Sequence, residues 1–216
     1  MRNKRIVISG SPGAGKTSII KGFKNKGYSI FEEYSRALIN EGKARGKDNF
    51  FLSDPIKFSE RLFLGRKAQF DAAPSLYFEA SKPFIFFDRG IQDIYAYLIA
   101  INQGNEDWKK RITPFKYDLV FLVEPWEAIY QKDAQRLETF EQAQMYFPFI
   151  EKVYEIQLKH SGDSFYYLRG IKNTEKYLMC DDSDFRQILI NSLVEKYSER
   201  MVESKTQELL NKLELI

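Results

Sequence analysis

The sequence predicts an α/β domain with a doubly wound parallel sheet and a helical C-terminal tail. Three observations carry this expectation. Short runs of Ile, Val, Phe and Tyr recur at 5–9, 28–31, 84–87, 119–123 and 165–168. They are apolar nearly throughout, as strands covered on both faces must be. Stretches with helical spacing lie between them, at 17–25, 55–73, 92–103 and 126–159, and strand alternating with helix builds a sheet flanked on both sides. Between the first strand and the first helix stands a glycine-rich loop, GSPGAGKT, at 10–17.

Taken in order, the first strand delivers the chain into that loop, and the loop opens the first helix. Gly10, Ser11, Pro12, Gly13, Ala14, Gly15, Lys16 and Thr17 fit the phosphate-binding pattern G-x-x-x-x-G-K-[ST] in full, and Ser18 continues it. Glycines let backbone N–H groups turn inward, and the helix N-terminus adds its partial positive charge. Lys16 is expected to bridge the β- and γ-phosphates of a nucleoside triphosphate, and Thr17 to offer its hydroxyl to Mg2+. The second strand ends in Phe31-Glu32-Glu33-Tyr34-Ser35-Arg36. In a phosphotransferase this place faces the acceptor, where a carboxylate takes a proton from a hydroxyl and an arginine fixes its partner; a solvated loop is the other reading.

The third strand ends in Asp88-Arg89-Gly90, which sets a carboxylate at the C-terminal edge of the sheet, where α/β ligands bind. Asp88 can hold Mg2+ through water or accept a proton. A hydrolytic ATPase commonly has Glu at the next position to activate water; Arg89 stands there instead and points to a second, anionic or sugar-like substrate. The helix at 58–70 offers Arg61, Arg66, Lys67 and Gln69 either as acceptor contacts or as a solvated face. After the fourth strand, Lys132 and Arg136 are four apart and share one helix face. Basic segments of this kind cover the γ-phosphate in phosphoryl-transfer enzymes; an ordinary charged helix face is the other reading.

The expected division is a domain over 1–180 and an amphipathic extension over 181–216, which packs on the chain's own core or on a second copy as a homodimer. With 216 residues, 44% of them hydrophobic, the length fits a single core. Thirty-three basic and 30 acidic residues leave a net charge of +3, too even to support nucleic acid or an anionic membrane as partner. No segment has the apolar length of a signal peptide or a membrane span. Cys180 and His160 are the only residues of their types, so neither an internal disulfide nor a His/Cys zinc site is expected. A cytoplasmic protein with a small-molecule acceptor is the expectation, with no membrane partner.

In this order and spacing, GSPGAGKT, EEYSRAL, FDRG and YDLVFLVEPWEAIYQKDAQR resemble the small P-loop ATPase/kinase family, described generically as an AAA-type ATP-binding domain. The Glu-Tyr-x-Arg segment is similar to ribosylnicotinamide kinase domains. FDRG followed by IQDIYAY is similar to thymidylate and deoxynucleoside kinases. The resemblance covers 5–168 and leaves the tail outside. It implies ATP and Mg2+ on Gly13, Gly15, Lys16 and Thr17, and Glu33 or Asp88 as base or metal carboxylate. It further implies Arg36 and Arg89 as acceptor contacts and Arg136 as a lid arginine. The function expected is a kinase moving the γ-phosphoryl group of ATP to a nucleoside-like acceptor. The alternative is a regulatory ATPase that signals through a partner.

Overall fold

The computed structural model describes residues 3–46, 53–76, 84–125, 127, 130, 139–159 and 165–168. Five strands form one parallel sheet: β1 Lys4–Gly10, β2 Ser29–Phe31, β3 Phe84–Asp88, β4 Leu119–Val123 and β5 Phe165–Leu168. Their order across the sheet is β2-β3-β1-β4-β5. Every expected strand is present within a residue or so of its expected bounds. Among the described residues the helices are α1 Lys16–Asn25, α2 Tyr34–Ala44, α3 Pro55–Ala72, α4 Gln92–Ala100, α5 Glu106–Ile112 and α6 Phe140–Lys159.

The strand sequences explain the centre of the sheet. Ile6, Val7 and Ile8 of β1 are fully buried, as are Phe86 of β3 and Leu122 of β4. On one face Phe23 of α1 stacks on Phe86 with ring centroids 3.8 Å apart, and Tyr28 meets Phe86 edge-on at 5.5 Å. On the other face Phe87 stacks on Phe31 at 4.9 Å and meets Tyr117 at 5.2 Å. Phe70 of α3 closes this group against Tyr117 at 5.4 Å. Aromatic pairs of this kind add about 0.5–1.5 kcal/mol each beyond the area they bury.

Local signals fix the helix ends. Asp54 caps α3 by accepting the Lys57 N–H at 3.0 Å, with proline at the first helical position. Asn105 caps α5 through the Trp108 N–H at 3.0 Å. The stretch 126–159 is not one helix, because Tyr130 and Thr139 are non-helical. Thr139 and Gln142 instead form a reciprocal capping box, at 3.3 and 2.8 Å, that starts α6 afresh.

The register places the ligand crevice. Ile8 pairs with Asp88, and Gly10 pairs with Val123. The chain leaves central β1 between β3 and β4, and this crevice at the carboxyl ends of the strands is where an open α/β sheet binds ligands. The tail at 181–216 lies outside the described residues, as do Lys132, Arg136 and His160.

Candidate functional site

The loop after β1 is shaped by what surrounds it. Gly10 has φ +134, and a Cβ there would lie 2.0 Å from the Val123 carbonyl oxygen, so a side chain fits neither the conformation nor the space. Ser11 is buried and donates to the Ala143 carbonyl at 2.6 Å, tying the loop to α6. Ala14 is buried beneath the turn, and its N–H reaches the Ser11 carbonyl at 3.4 Å. Gly15, at φ 93, caps α1 without a side-chain hydrogen bond. The first turn of α1 thus faces the crevice with main-chain donors, a setting suited to an anion. Lys16 is buried and folds back across the loop, donating to the Gly10 and Ser11 carbonyls at 2.9 and 2.6 Å. Burial, then the neighbouring Arg89, lowers its pKa to about 7 against the pull of Glu33, Asp88 and Asp93.

Across from the loop stands a cluster of carboxylates and arginines. Glu33, at the N-cap position of α2, accepts Arg89 Nε at 2.7 Å and Ser35 Oγ at 2.8 Å on Oε1. Its Oε2 accepts Arg36 Nε at 3.2 Å. Burial works against the charge of Glu33, but Arg89 and Lys16 hold its carboxyl well below the usual range. Arg36 also reaches towards the Thr17 hydroxyl at 3.5 Å. Arg89 joins the two sides, since its Nη1 donates to the Gly10 carbonyl at 3.0 Å while its Nε holds Glu33.

Arg89 achieves this from a left-handed backbone, φ 70. That conformation costs a non-glycine residue about 1–3 kcal/mol and persists where the surroundings over-determine it. Asp88, one residue earlier, is buried, and its Oδ1 has no partner among the described residues. Burial, then the Glu33 charge, pushes its pKa up to about 6.

A third layer lies beneath. Asp93, in the first turn of α4, accepts Ser9 Oγ at 2.6 Å, Arg89 Nη1 at 3.1 Å, Gly90 N at 2.9 Å and Tyr154 Oη at 2.7 Å. Buried Arg66 donates to the Gly90 carbonyl at 2.7 Å. Gly90 is packed so closely that a Cβ would lie 2.3 Å from the Tyr154 hydroxyl and 2.9 Å from the Tyr117 ring.

The structure therefore brings Lys16, Thr17, Glu33, Arg36, Asp88 and Arg89 to one sheet edge. Of the four side chains singled out on α3, only Arg66 turns inward. Arg61 pairs with Glu41 at 2.6 Å, Lys67 pairs with Asp71, and Gln69 donates to the Glu32 carbonyl at 3.0 Å. Sequence reasoning missed Asp93, Ser9 and Tyr154. A signal existed for Asp93, four residues after Arg89 and hence one helical turn away.

A family model described as an AAA domain matches residues 5–160. Solved structures share the fold at low identity. A deoxyadenosine kinase from M. mycoides with bound dATP is 16% identical, with a TM-score of 0.51 over 98% of this chain and 100% of that one. A NadR protein in complex with NR is 16% identical, with a TM-score of 0.54 over 93% of this chain; this chain spans about half of that one, 52%. Thymidylate kinase from Candida albicans is 19% identical, with a TM-score of 0.52 over 90% of this chain and 93% of that one. No curated protein matches the sequence. Among the described residues no helix is long and apolar enough to cross a membrane.

Proposed function

The chain belongs to the AAA domain family, and from that footing we propose that it is a P-loop kinase that moves the γ-phosphoryl group of ATP to a hydroxyl of a small, nucleoside-like acceptor. The observation that carries the reading is the Arg89 guanidinium, hydrogen-bonded at once to the Gly10 carbonyl of the phosphate loop and to Glu33. One side chain thereby sets the distance between the donor loop and a carboxylate suited to an acceptor. Phosphoryl transfer is catalysed mainly by positioning and charge neutralisation, so such a brace is what the chemistry requires.

Two features favour a hydroxyl acceptor and transfer over hydrolysis. Glu33 stands between Arg36 and Arg89, so both arginines are already charge-compensated and an incoming phosphate would meet a carboxylate. A hydroxyl would meet a proton acceptor. The low basicity of Glu33 is no obstacle, because in a loose transition state the carboxylate chiefly orients the hydroxyl. Next to Asp88, where a glutamate would activate water, stands Arg89, committed to Glu33 and Asp93.

The donor set also fits Mg2+. Mg2+ takes one or two protein ligands besides substrate phosphates, and the bare Oδ1 of Asp88 and the Thr17 hydroxyl are the groups that would hold it. When bound, the ion neutralises phosphate charge. Lys16 places its ammonium over the loop, and α1 offers its N-terminus to the phosphates. Arg136 takes the role of lid arginine in this reading.

The test is ADP production from ATP and Mg2+, alone and with pooled nucleosides, nucleotides or nicotinamide riboside. Stimulation by a nucleoside pool, lost in Lys16→Ala, is expected. Slow turnover indifferent to every pool, or stimulation that survives Lys16→Ala, overturns the reading.

A further inference from the structure

We propose that Asp93 is a positioning residue, a buried carboxylate outside the reacting groups that fixes the Arg89 guanidinium between the phosphate loop and Glu33. The task given to Arg89 rests on the kinase reading above; its placement rests on geometry alone.

Both oxygens of Asp93 are fully used. Oδ1 receives Ser9 Oγ and Arg89 Nη1, and Oδ2 receives Gly90 N and Tyr154 Oη. The donors come from β1, from the turn after β3 and from α6, so one carboxylate gathers the elements that build the crevice. A carboxylate needed only to support the fold would be accounted for by the Ser9, Gly90 and Tyr154 bonds. The bond to Arg89 stabilises no backbone; it decides where a side chain points.

That direction matters because Arg89 Nη1 is shared between Asp93 and the Gly10 carbonyl, at 3.1 and 3.0 Å. Without the Asp93 charge, the guanidinium is drawn towards Glu33 and Asp88 and leaves the loop carbonyl. The Gly90 N–H bond clamps the backbone directly after the left-handed Arg89, so Asp93 holds both the side chain and the turn that presents it. Arg66, on the Gly90 carbonyl, braces the same turn from α3.

Asp93→Asn keeps the size of the side chain, removes its charge and sets an amide against donors. Tyr154→Phe combined with Ser9→Ala strips the other side-chain donors and leaves the Arg89 pair intact. In the full chain, the Arg89 Nε–Hε resonance, assigned through Arg89→Lys, reports the guanidinium directly. It is expected to shift or broaden in Asp93→Asn and to hold in the double variant. With ATP and a nucleoside pool, Asp93→Asn is expected to lower kcat about tenfold or more while the KM for ATP stays within about twofold. The double variant is expected to keep kcat despite a lower melting temperature.

An Arg89 resonance unmoved by Asp93→Asn overturns the proposal. So does a double variant that loses both resonance and kcat, a readout that stands even where Asp93→Asn does not fold. If the wild-type chain is not stimulated by nucleosides, the kinase reading fails, and the resonance alone decides whether Asp93 positions Arg89.

Discussion

Replacing Glu33 by glutamine keeps the shape of the side chain and removes the charge that faces Arg36 and Arg89. Breaking a buried ion pair by deleting one partner costs about 3–5 kcal/mol when the other is stranded. Arg89 is not stranded here, since Asp93 and the Gly10 carbonyl still hold it. The loss is that of charge-assisted hydrogen bonds, about 1.5–3 kcal/mol. For a domain of this size that lowers the melting temperature by about 3–12 °C. If Glu33 orients the acceptor as proposed, misplacing that acceptor is expected to lower kcat by about 10².

Those magnitudes alone would suit many damaging substitutions; the pH profile is specific. In the wild-type chain kcat/KM for ATP is expected to rise as Asp88, raised to about 6, ionises and to fall as Lys16, lowered to about 7, loses its proton, which gives a bell. After burial, the Glu33 charge is the main cause that raises Asp88, and it supports the charge of Lys16. Removing it lets Asp88 ionise at lower pH and lets Lys16 deprotonate at lower pH. Both limbs of the bell must therefore move in the acid direction together. Initial rates across the pH range with saturating acceptor measure this. A bell that stays in place, or limbs that move apart, would refute the electrostatic coupling of Glu33, Asp88 and Lys16.

Two further outcomes rest on the packing and charge of the same edge. In Gly90→Ala the new methyl meets the Tyr154 hydroxyl at 2.3 Å, and overpacking of this kind costs about 1–3 kcal/mol. Thermal denaturation is expected to find the substitution milder in a Tyr154→Phe background, where the hydroxyl is gone; strictly additive costs would refute the contact. Asp88 has a folded-state pKa raised above its unfolded value, to about 6, so its share of stability is present below the ordinary carboxylate pKa of about 3.9 and is lost as pH rises through about 6. Denaturant titrations of wild type and Asp88→Asn are expected to diverge over that window, with the variant gaining relative stability as pH rises. Parallel curves would show that the Asp88 pKa is not raised by the fold.

The strands and the phosphate loop were legible because their signals are local. Five apolar runs and one glycine pattern each carry their own reason to form. The elements that escaped notice carry little local signal. Helix α2 starts directly from the acidic end of β2, and only Leu38 and Gly42 along it are fully buried, so its apolar period is faint. Helix α5 has seven residues and buries only Trp108 and Ile112; its Asn105 cap and its acidic-to-basic polarity were the readable clues. The site divides in the same way. Lys16, Glu33, Asp88 and Arg89 stand at strand ends that the apolar runs announce. Asp93 finds Ser9 84 positions away and Tyr154 61 positions away, pairings that exist only once the sheet and α6 are assembled. Arg66 and Arg61 look alike in sequence, and only the helix rotation on its neighbours sends one inward and the other to Glu41.

The distribution of energetic cost argues that this edge is the working part of the molecule. Four cations, Lys16, Arg36, Arg66 and Arg89, gather there with three carboxylates, Glu33, Asp88 and Asp93. Buried ion pairs are at best neutral against apolar packing, so selection for stability alone would have filled the crevice with side chains like those beneath it. Asp88 keeps a buried oxygen without a hydrogen-bond donor among the described residues, a cost of about 1–3 kcal/mol. Arg89 holds a left-handed backbone, and burial pulls the Lys16 pKa down to about 7, against its charge. These costs share a remedy: phosphate oxygens would secure Lys16, and a divalent cation would satisfy Asp88. Glu33 alone would gain nothing from either, since its oxygens already hold Arg89, Ser35 and Arg36. Its charge is needed before any ligand binds, to compensate Arg36 and Arg89.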